Sequence, residues 1–414
     1  MTAPHPAPPG PLAALGHADF RRFWFAALLS NTGSWMQSAA IPYVIFQITR
    51  SSGAVGVTGF WVYLPMMLMS AVGGSLADRF PRRALLFLTQ AAQAAVAVGL
   101  WALVASGRAT ALSISALGFV GGLTGGLNIP VWQSFVSQLV PRELLPNAVS
   151  LNSTQFNGAR ALGPLLAGVV VARISPQAAF LINAASFGAV MIVLPFIHAE
   201  QPVREPGPRA GIVGDLVSGV RYVWANPPIR ACCFAIIAVA GLGNPLFSFL
   251  PATFGQEVFA VTGWRLGLLA GVGGIGAVMA APLLLTRGAR LPRAVLLGIA
   301  MTGYGVGALI VGVSPNYWVA LMGGLVWGGS YLAIAASMNT TVQLAVREEM
   351  RGKAIAVYLM CLTGALPVGT LAWGLVADRV GIRATTIGAS AALLALTAWF
   401  VVGGRLAALD SPST

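Results

Sequence analysis

Long apolar runs broken by short polar knots dominate the chain. A helix needs about 20 mainly apolar residues to cross hydrocarbon. Twelve stretches meet that length, near 22–47, 54–77, 84–106, 110–138, 148–172, 177–197, 229–254, 264–286, 292–313, 317–345, 353–376 and 384–404. Most connections are short, and the longest is 198–228. It starts HAEQPVREPGPR, a flexible polar stretch. It ends GIVGDLVSGVRYVWANPP, where Ile212, Val213, Leu216, Val217, Val220, Val223 and Trp224 recur at helical spacing. That spacing predicts an amphipathic helix lying on the inner membrane face, and it splits the chain into two six-span halves.

The pattern therefore predicts an all-α integral membrane protein, with twelve transmembrane helices in two pseudo-symmetric six-helix bundles. The expected division is a disordered cytoplasmic tail (1–20), a first bundle (21–197), a cytoplasmic linker (198–228), a second bundle (229–405) and a cytoplasmic tail (406–414). The Pro-rich start, MTAPHPAPPGPLAALGHADF, lacks a basic segment ahead of an apolar one and does not read as a cleavable signal peptide.

Composition agrees with lipid as the main solvent. The 414 residues are 57% hydrophobic and 8% charged, with mean hydropathy +0.80, against roughly 25% charged residues in soluble domains. A net charge of +13 would suit nucleic acid if the basic residues were clustered. They instead punctuate the apolar runs, so nucleic acid is excluded as a partner. With the N-terminus inside, the cytoplasmic connections carry 17 Arg and Lys and the outer ones six, which places both termini in the cytoplasm of a multi-pass plasma-membrane protein. Cys232, Cys233 and Cys361 sit in apolar segments without a spaced Cys/His set, so neither a disulfide framework nor a metal site is indicated. No nucleotide-binding loop and no catalytic cluster is visible, which argues against an enzyme and against a cofactor.

The halves repeat. At a constant shift of 206, VPRELLPNAVSL (140–151) falls on VREEMRGKAIAV (346–357), and GPLLAGVVVAR (163–173) falls on GTLAWGLVADR (369–379). Two matches in one register indicate parallel six-span repeats about an axis along the membrane normal, the layout of an alternating-access transporter.

Arg160 lies within the fifth span. A charge at the bilayer centre costs at least about 2.5–3.5 kcal/mol, so it should face the interior or a wet cavity. Two roles stand open: a cavity cation that attracts anionic or zwitterionic groups, or a structural Arg held by carbonyls and Asn157 or Asn128. In the fourth span Gly118, Gly122 and Gly126 recur every four residues, as do Gly121 and Gly125, and Gly267 and Gly271 do so in the eighth; such spacing allows close helix approach. None of the eleven acids lies mid-span.

GGSLADRFPRR, after the second span, resembles the signature loop of the major facilitator superfamily; Gly74, Leu76, Ala77, Asp78, Arg79, Arg82 and Arg83 match, while Pro81 replaces the usual Gly. FRRFWFAALLSNTGSWMQSAAIPYVIFQITRSS, LVPRELLPNAVSLNSTQFNGARALGPLLAG and LVSGVRYVWANPPIRA are similar to the branch that includes enterobactin exporters and macrolide-efflux proteins. The resemblance implies a secondary active exporter of a small, partly apolar molecule such as a siderophore, an antibiotic or another metabolite, acting as a monomer with protons as the candidate coupling ion. It further implies that Gly74, Asp78, Arg79, Arg82 and Arg83 form a conformational latch, Asp78 reaching the N-terminus of the eleventh span. It implies a fifth-span hinge at Gly163, Pro164 and Gly168, with Ala167 where that element often has Gly. Polar cavity candidates are Asn31, Gln37, Asn128, Gln133, Arg160, Asn244, Tyr331 and Asn339, with Trp35 and Trp327 as apolar walls. The branch commonly has an acid and an arginine where Asn128 and Trp132 stand, a departure that argues against a charge relay through the fourth span. Competing readings are a facilitator, a lipid translocator or a non-transporting membrane receptor on the same fold.

Overall fold

The computed structural model describes residues 10, 12–198, 212–347, 350–406 and 409; the side chains of Gly74, Asp78 and Arg79, three of the five latch candidates, lie outside the described residues. Helix follows helix with little between. The first half is α1 (Ala18–Thr49), α2 (Ser52–Arg79), α3 (Arg82–Ala105), α4 (Ala111–Val136), α5 (Leu145–Arg173) and α6 (Pro176–Val193). A linker helix, α7 (Ile212–Ala225), leads to the second half: α8 (Pro227–Ala238), α9 (Asn244–Ser248), α10 (Pro251–Val258), α11 (Gly263–Thr286), α12 (Arg293–Val313), α13 (Tyr317–Ala345), α14 (Arg351–Val380) and α15 (Ile382–Val402).

Local chemistry sets the breaks. Ser51 caps α2 by accepting from the Ala54 N–H at 2.9 Å, and Thr110 and Ser113 close a reciprocal capping box on α4. Pro81 is the residue immediately before α3, with φ −56°, so the departure from the usual Gly supplies a preset helix start. Gly381, at φ +84°, ends α14 and lets α15 begin on the next residue. The seventh span is not one helix. After α8 come a π-helical turn (Val239–Gly243), α9, a break at Phe249–Leu250, and α10. Pro245 and Pro251 cannot donate to the helical ladder at these places, which interrupts a run that periodicity alone reads as continuous.

Ten of the described helical segments are long and apolar enough to cross a membrane by length and composition. The two other long helices, α1 and α5, are the more polar pair, and they pack against each other. Apolar side chains cover the outside: Leu112 and Val402 are 80% and 87% exposed, which only a lipid-facing surface tolerates at this scale. Trp264 and Trp318 stand exposed at one end of the bundle and Trp224 and Trp399 at the other, the placement of interfacial tryptophans. α7 buries Val223 and sets Gly219 against Lys353 of α14, while Val217, Val220 and Trp224 remain exposed. The end of the segment expected as a disordered tail folds as a 3-10 turn (Ala13–Gly16), with the buried Ala14 N–H donating to Asn147 Oδ1 of α5 at 2.8 Å.

Within the first half α2 packs on α4, and α1 on α5 and α6; within the second, α13 packs on α11 and α12. The α2–α4 contact uses one of the two glycine rows. A Cβ on Gly118, Gly122 or Gly126 would run into Val62 or Met66, whereas one on Gly125 would meet nothing within 4 Å. The halves meet along two crossed pairs, α2 with α14 and α5 with α11. Both seams lie toward the end with few arginines, where α2 and α11 begin and α5 and α14 finish. In one, a Cβ on Gly374 would lie 2.7 Å from Gly56 Cα and 2.8 Å from the Ser52 carbonyl. In the other, a Cβ on Gly267 would lie 2.5 Å from the Pro164 carbonyl and 2.9 Å from Gly168 Cα. Gln47 of α1 adds a hydrogen bond to Gln256 of α10 at 2.6 Å at the same end.

Gly→Ala in an open helix position gains about 1 kcal/mol of helix propensity, so seam and non-seam glycines should respond with opposite sign. Gly267→Ala is expected to lower the melting temperature of the purified protein by several degrees, and Gly188→Ala, whose Cβ meets nothing within 4 Å, to leave it equal or higher. Equal responses in thermal melts would contradict a backbone seam at Gly267.

Candidate functional site

Beneath the two seams the halves enclose a cavity that is open to solvent. Its walls come from both halves: Trp35, Ser38, Ala39 and Pro42 of α1, Tyr63 of α2, Arg160 and Pro164 of α5, then Phe249, Pro251 and Ala252 of the broken seventh span, and Ala270 and Gly274 of α11. Arg160 is half-buried, and its guanidinium carbon lies 4.8 Å from the Tyr331 ring centre and 5.7 Å from that of Trp35. One ring belongs to each half. Such cation–π contacts are worth about 0.5–2 kcal/mol, more when water is excluded. Because rings attract a guanidinium through its face, its in-plane N–H donors suit a carboxylate or similar planar anion.

Tyr331 is backed by further rings. Tyr304, fully buried, lies 6.1 Å from Tyr331 and 5.7 Å from Trp327. Trp327 borders a second, mainly apolar pocket with Leu246, Phe254, Val272 and Pro251, and Pro251 also lines the first cavity. An aromatic column thus runs from the cation into the second half.

The other polar candidates occupy different places. Asn31 donates to Gln155 at 3.2 Å, joining α1 to α5, and Gln37 accepts from the buried Asn183 of α6 at 2.9 Å. Asn128 accepts from Thr89 and Gln90 of α3 at 2.9 and 3.3 Å, and Ser30 bonds Gln90 in turn. Trp132 packs on Phe23, with ring centres 4.7 Å apart, and donates to Asn152 at 3.3 Å. Asn244 is buried at the start of α9. Gln133 is exposed, and Asn339 is exposed and accepts from Gln343 on its own helix. Asn157 donates to the Ser153 carbonyl. Of the hinge candidates, Gly163 packs on Trp35 and the Thr32 carbonyl, Gly168 sits in the α5–α11 seam, and Pro164 lines the cavity. Arg82 and Arg83 reach the carbonyls of Ser134 and Ile197, each at 3.3 Å. They tie the start of α3 to the ends of α4 and α6.

Tyr63 and Phe249, whose rings meet at 5.9 Å, are wall residues that sequence reading missed. For Phe249 the flanking prolines were an available signal; Tyr63 sits in an apolar run and offered none. No group of three or more His, Cys, Asp or Glu placed to hold a metal exists among the described residues. At the Arg-poor end, burial first and the Asp378 charge second push the Glu257 carboxyl up from its ordinary value.

The family model described as "Transmembrane secretion effector" matches residues 9–413. The multidrug efflux pump Tap of Mycobacterium tuberculosis is 26% identical over 373 residues, covering 87% of each chain. The enterobactin exporter EntS of Salmonella typhi is 25% identical over 343 residues, covering 81% of this chain and 80% of that protein. Among solved structures, a bacterial homolog of the human lysosomal transporter Spinster superposes with a TM-score of 0.72 at 16% identity, covering 94% of this chain and 97% of the other. With its helices paired into two bundles around a shared cavity, the chain belongs to the transmembrane secretion effector family of major facilitator superfamily transporters.

Proposed function

We propose that the protein is a secondary active exporter of a small, partly apolar molecule with an anionic, zwitterionic or neutral polar group, working by alternating access in a bacterial plasma membrane. The Arg-rich end, with both termini, faces the cytoplasm in this reading. The observation that carries it is Arg160, a cation in an aromatic cavity that both halves build. Halves that meet at the Arg-poor end leave such a cavity to be reached from the Arg-rich side, as loading of an export substrate requires. The efflux and siderophore-export relatives support that direction. Asp78 is proposed as a latch at the Arg-rich end, acting on the N-terminus of α14 when that end closes. There a carboxylate would gain about 0.3–1 kcal/mol. The protein is proposed to work as a monomer.

Proton coupling is the finer proposal. A facilitator is the competing reading, favoured by one observation: no carboxylate lines the described cavity. Flux of substrate in liposomes with and without an imposed pH gradient separates the two, since gradient-independent equilibration would leave only facilitation.

In the same liposomes, Arg160→Ala should lower kcat/KM for anionic substrates by roughly ten- to a hundredfold, about 1.4–2.8 kcal/mol, and for neutral ones by less than about threefold. An equal loss for both would assign Arg160 a structural part. Tyr331→Phe keeps the ring and should transport within about twofold of the parent, while Tyr331→Leu should lose severalfold; indistinguishable rates would remove the ring from the site. Asp78→Asn should raise the labelling rate of a cysteine at Ser38, probed from the Arg-rich side, by roughly two- to fivefold. An unchanged rate would count against the latch.

A further inference from the structure

The two seams between the halves are built alike but finished differently. In each, the last turn of one long helix lies on the first turn of another from the opposite half: α5 on α11, and α14 on α2. The internal repeat sets Ala172 of α5 and Asp378 of α14 at equivalent positions. At the α5–α11 seam, a Cβ on Gly263 would lie 2.7 Å from the Ala172 methyl, and the cap residue of α11, Thr262, makes no side-chain capping bond. This end of the seam packs a methyl on a glycine.

At the α2–α14 seam the equivalent position carries a charge. Asp378 Oδ2 accepts a hydrogen bond from Ser51 Oγ at 2.7 Å, between residues 327 apart in sequence. The same Ser51 oxygen accepts from the Ala54 N–H at 2.9 Å, so one hydroxyl caps α2 and donates a hydrogen bond to the carboxylate of the other half. A Cβ on Gly53 would collide with that carboxylate, so Asp378 rests directly against the first turn of α2. A helix N-terminus carries roughly half a positive charge, and four of its N–H groups lack helical partners. A carboxylate there, also bonded to the cap hydroxyl, holds the end of one half against the start of the other.

We infer that Asp378 and Ser51 form a lock that keeps the Arg-poor end of the transporter shut, and that the lock must break for that end to open. It rests on the alternating-access reading above. The contact can exist only while α14 and α2 are in register, because separating the halves removes the carboxylate from both the hydroxyl and the helix terminus. At the position where this seam holds a carboxylate, the other packs the Ala172 methyl on Gly263. The lock is therefore one-sided, and α2–α14 is the seam whose release gates the opening. Asp378 takes up this role only because the fold sets the end of α14 beside the start of α2.

The test uses the full-length protein in lipid nanodiscs, with its three cysteines replaced by serine and spin labels on Ser106→Cys and Pro315→Cys. These positions lie on opposite halves at the Arg-poor end. Asp378→Ala and Asp378→Asn should raise the ratio of long to short interspin distances by about tenfold. Ser51→Ala, which leaves the charge and the glycine contact, should raise it less, and Asp378→Glu should recover part of the short-distance population. Gly267→Val serves as a mechanical control, since its bulk forces apart the backbone contact of Gly267 with Pro164 and Gly168 at the other seam. Opening in Gly267→Val with unchanged distances in both Asp378 variants would overturn the lock and leave alternating access standing. No long-distance population in any variant would overturn both.

Discussion

Backbone against backbone, at two glycine-lined crossings, is the contact on which the rest of the arrangement depends. Side chains normally hold helix axes 8–10 Å apart. Where Gly56 meets Gly374 and Gly168 meets Gly267, no side chain intervenes. In a bilayer, helix association draws little from the hydrophobic effect, because lipid tails are as apolar as leucine. Close van der Waals contact must supply the attraction, and glycine permits it. These two crossings hold the halves together at one end and leave the space below them unfilled. The cavity is a consequence of where the helices touch.

The chemistry follows from that geometry. Three of the polar candidates in the first half are consumed in ties between helices: Asn31 to Gln155, Gln37 to Asn183, Asn128 to Thr89 and Gln90. A buried polar group without a partner costs about 1–3 kcal/mol, so such ties form wherever two reach each other. What remains facing the cavity is mainly ring and proline, with Ser38 and one guanidinium. The broken seventh span contributes to the same space. Its π turn exposes the Gly241 carbonyl, which accepts from Trp373 of α14 at 2.8 Å, and its second break swings Phe249 onto Tyr63. Non-helical backbone at membrane depth is tolerated only inside protein or beside a cavity, and both conditions hold here.

The repeat gives the halves a common plan without equal equipment. Arg160 has no cationic counterpart at the same shift, where Leu366 stands, and Asp378 faces α2 where Ala172 faces α11. A cavity cation belongs to one half and an end-closing carboxylate to the other. Symmetric packing thus carries asymmetric chemistry: one seam sets a carboxylate against a helix start, the other a methyl against a glycine.

Much of the fold was legible in the residues. Runs of about 20 apolar positions, the arginine imbalance between connections and the 206-residue register depend on neighbours in sequence or on the solvent, and both are visible without coordinates. Arg160 could be singled out because a charge in hydrocarbon needs an explanation wherever it lies. The row Gly118, Gly122 and Gly126 was readable as a packing face, but nothing in the sequence separated it from Gly121 and Gly125, since both rows repeat every four residues. Asn31, Gln37 and Asn128 carry the same polar signal whether they face a ligand or a neighbouring helix. By itself, then, the sequence determined a lipid-embedded, twofold-repeated helical chain, because hydrophobicity and periodicity act locally. Tertiary structure decided which polar groups satisfy one another, where the rings of Trp35 and Tyr331 flank Arg160, and that Ser51 meets Asp378. Those depend on distances of a few ångströms between residues far apart along the chain, and only packed helices set such distances.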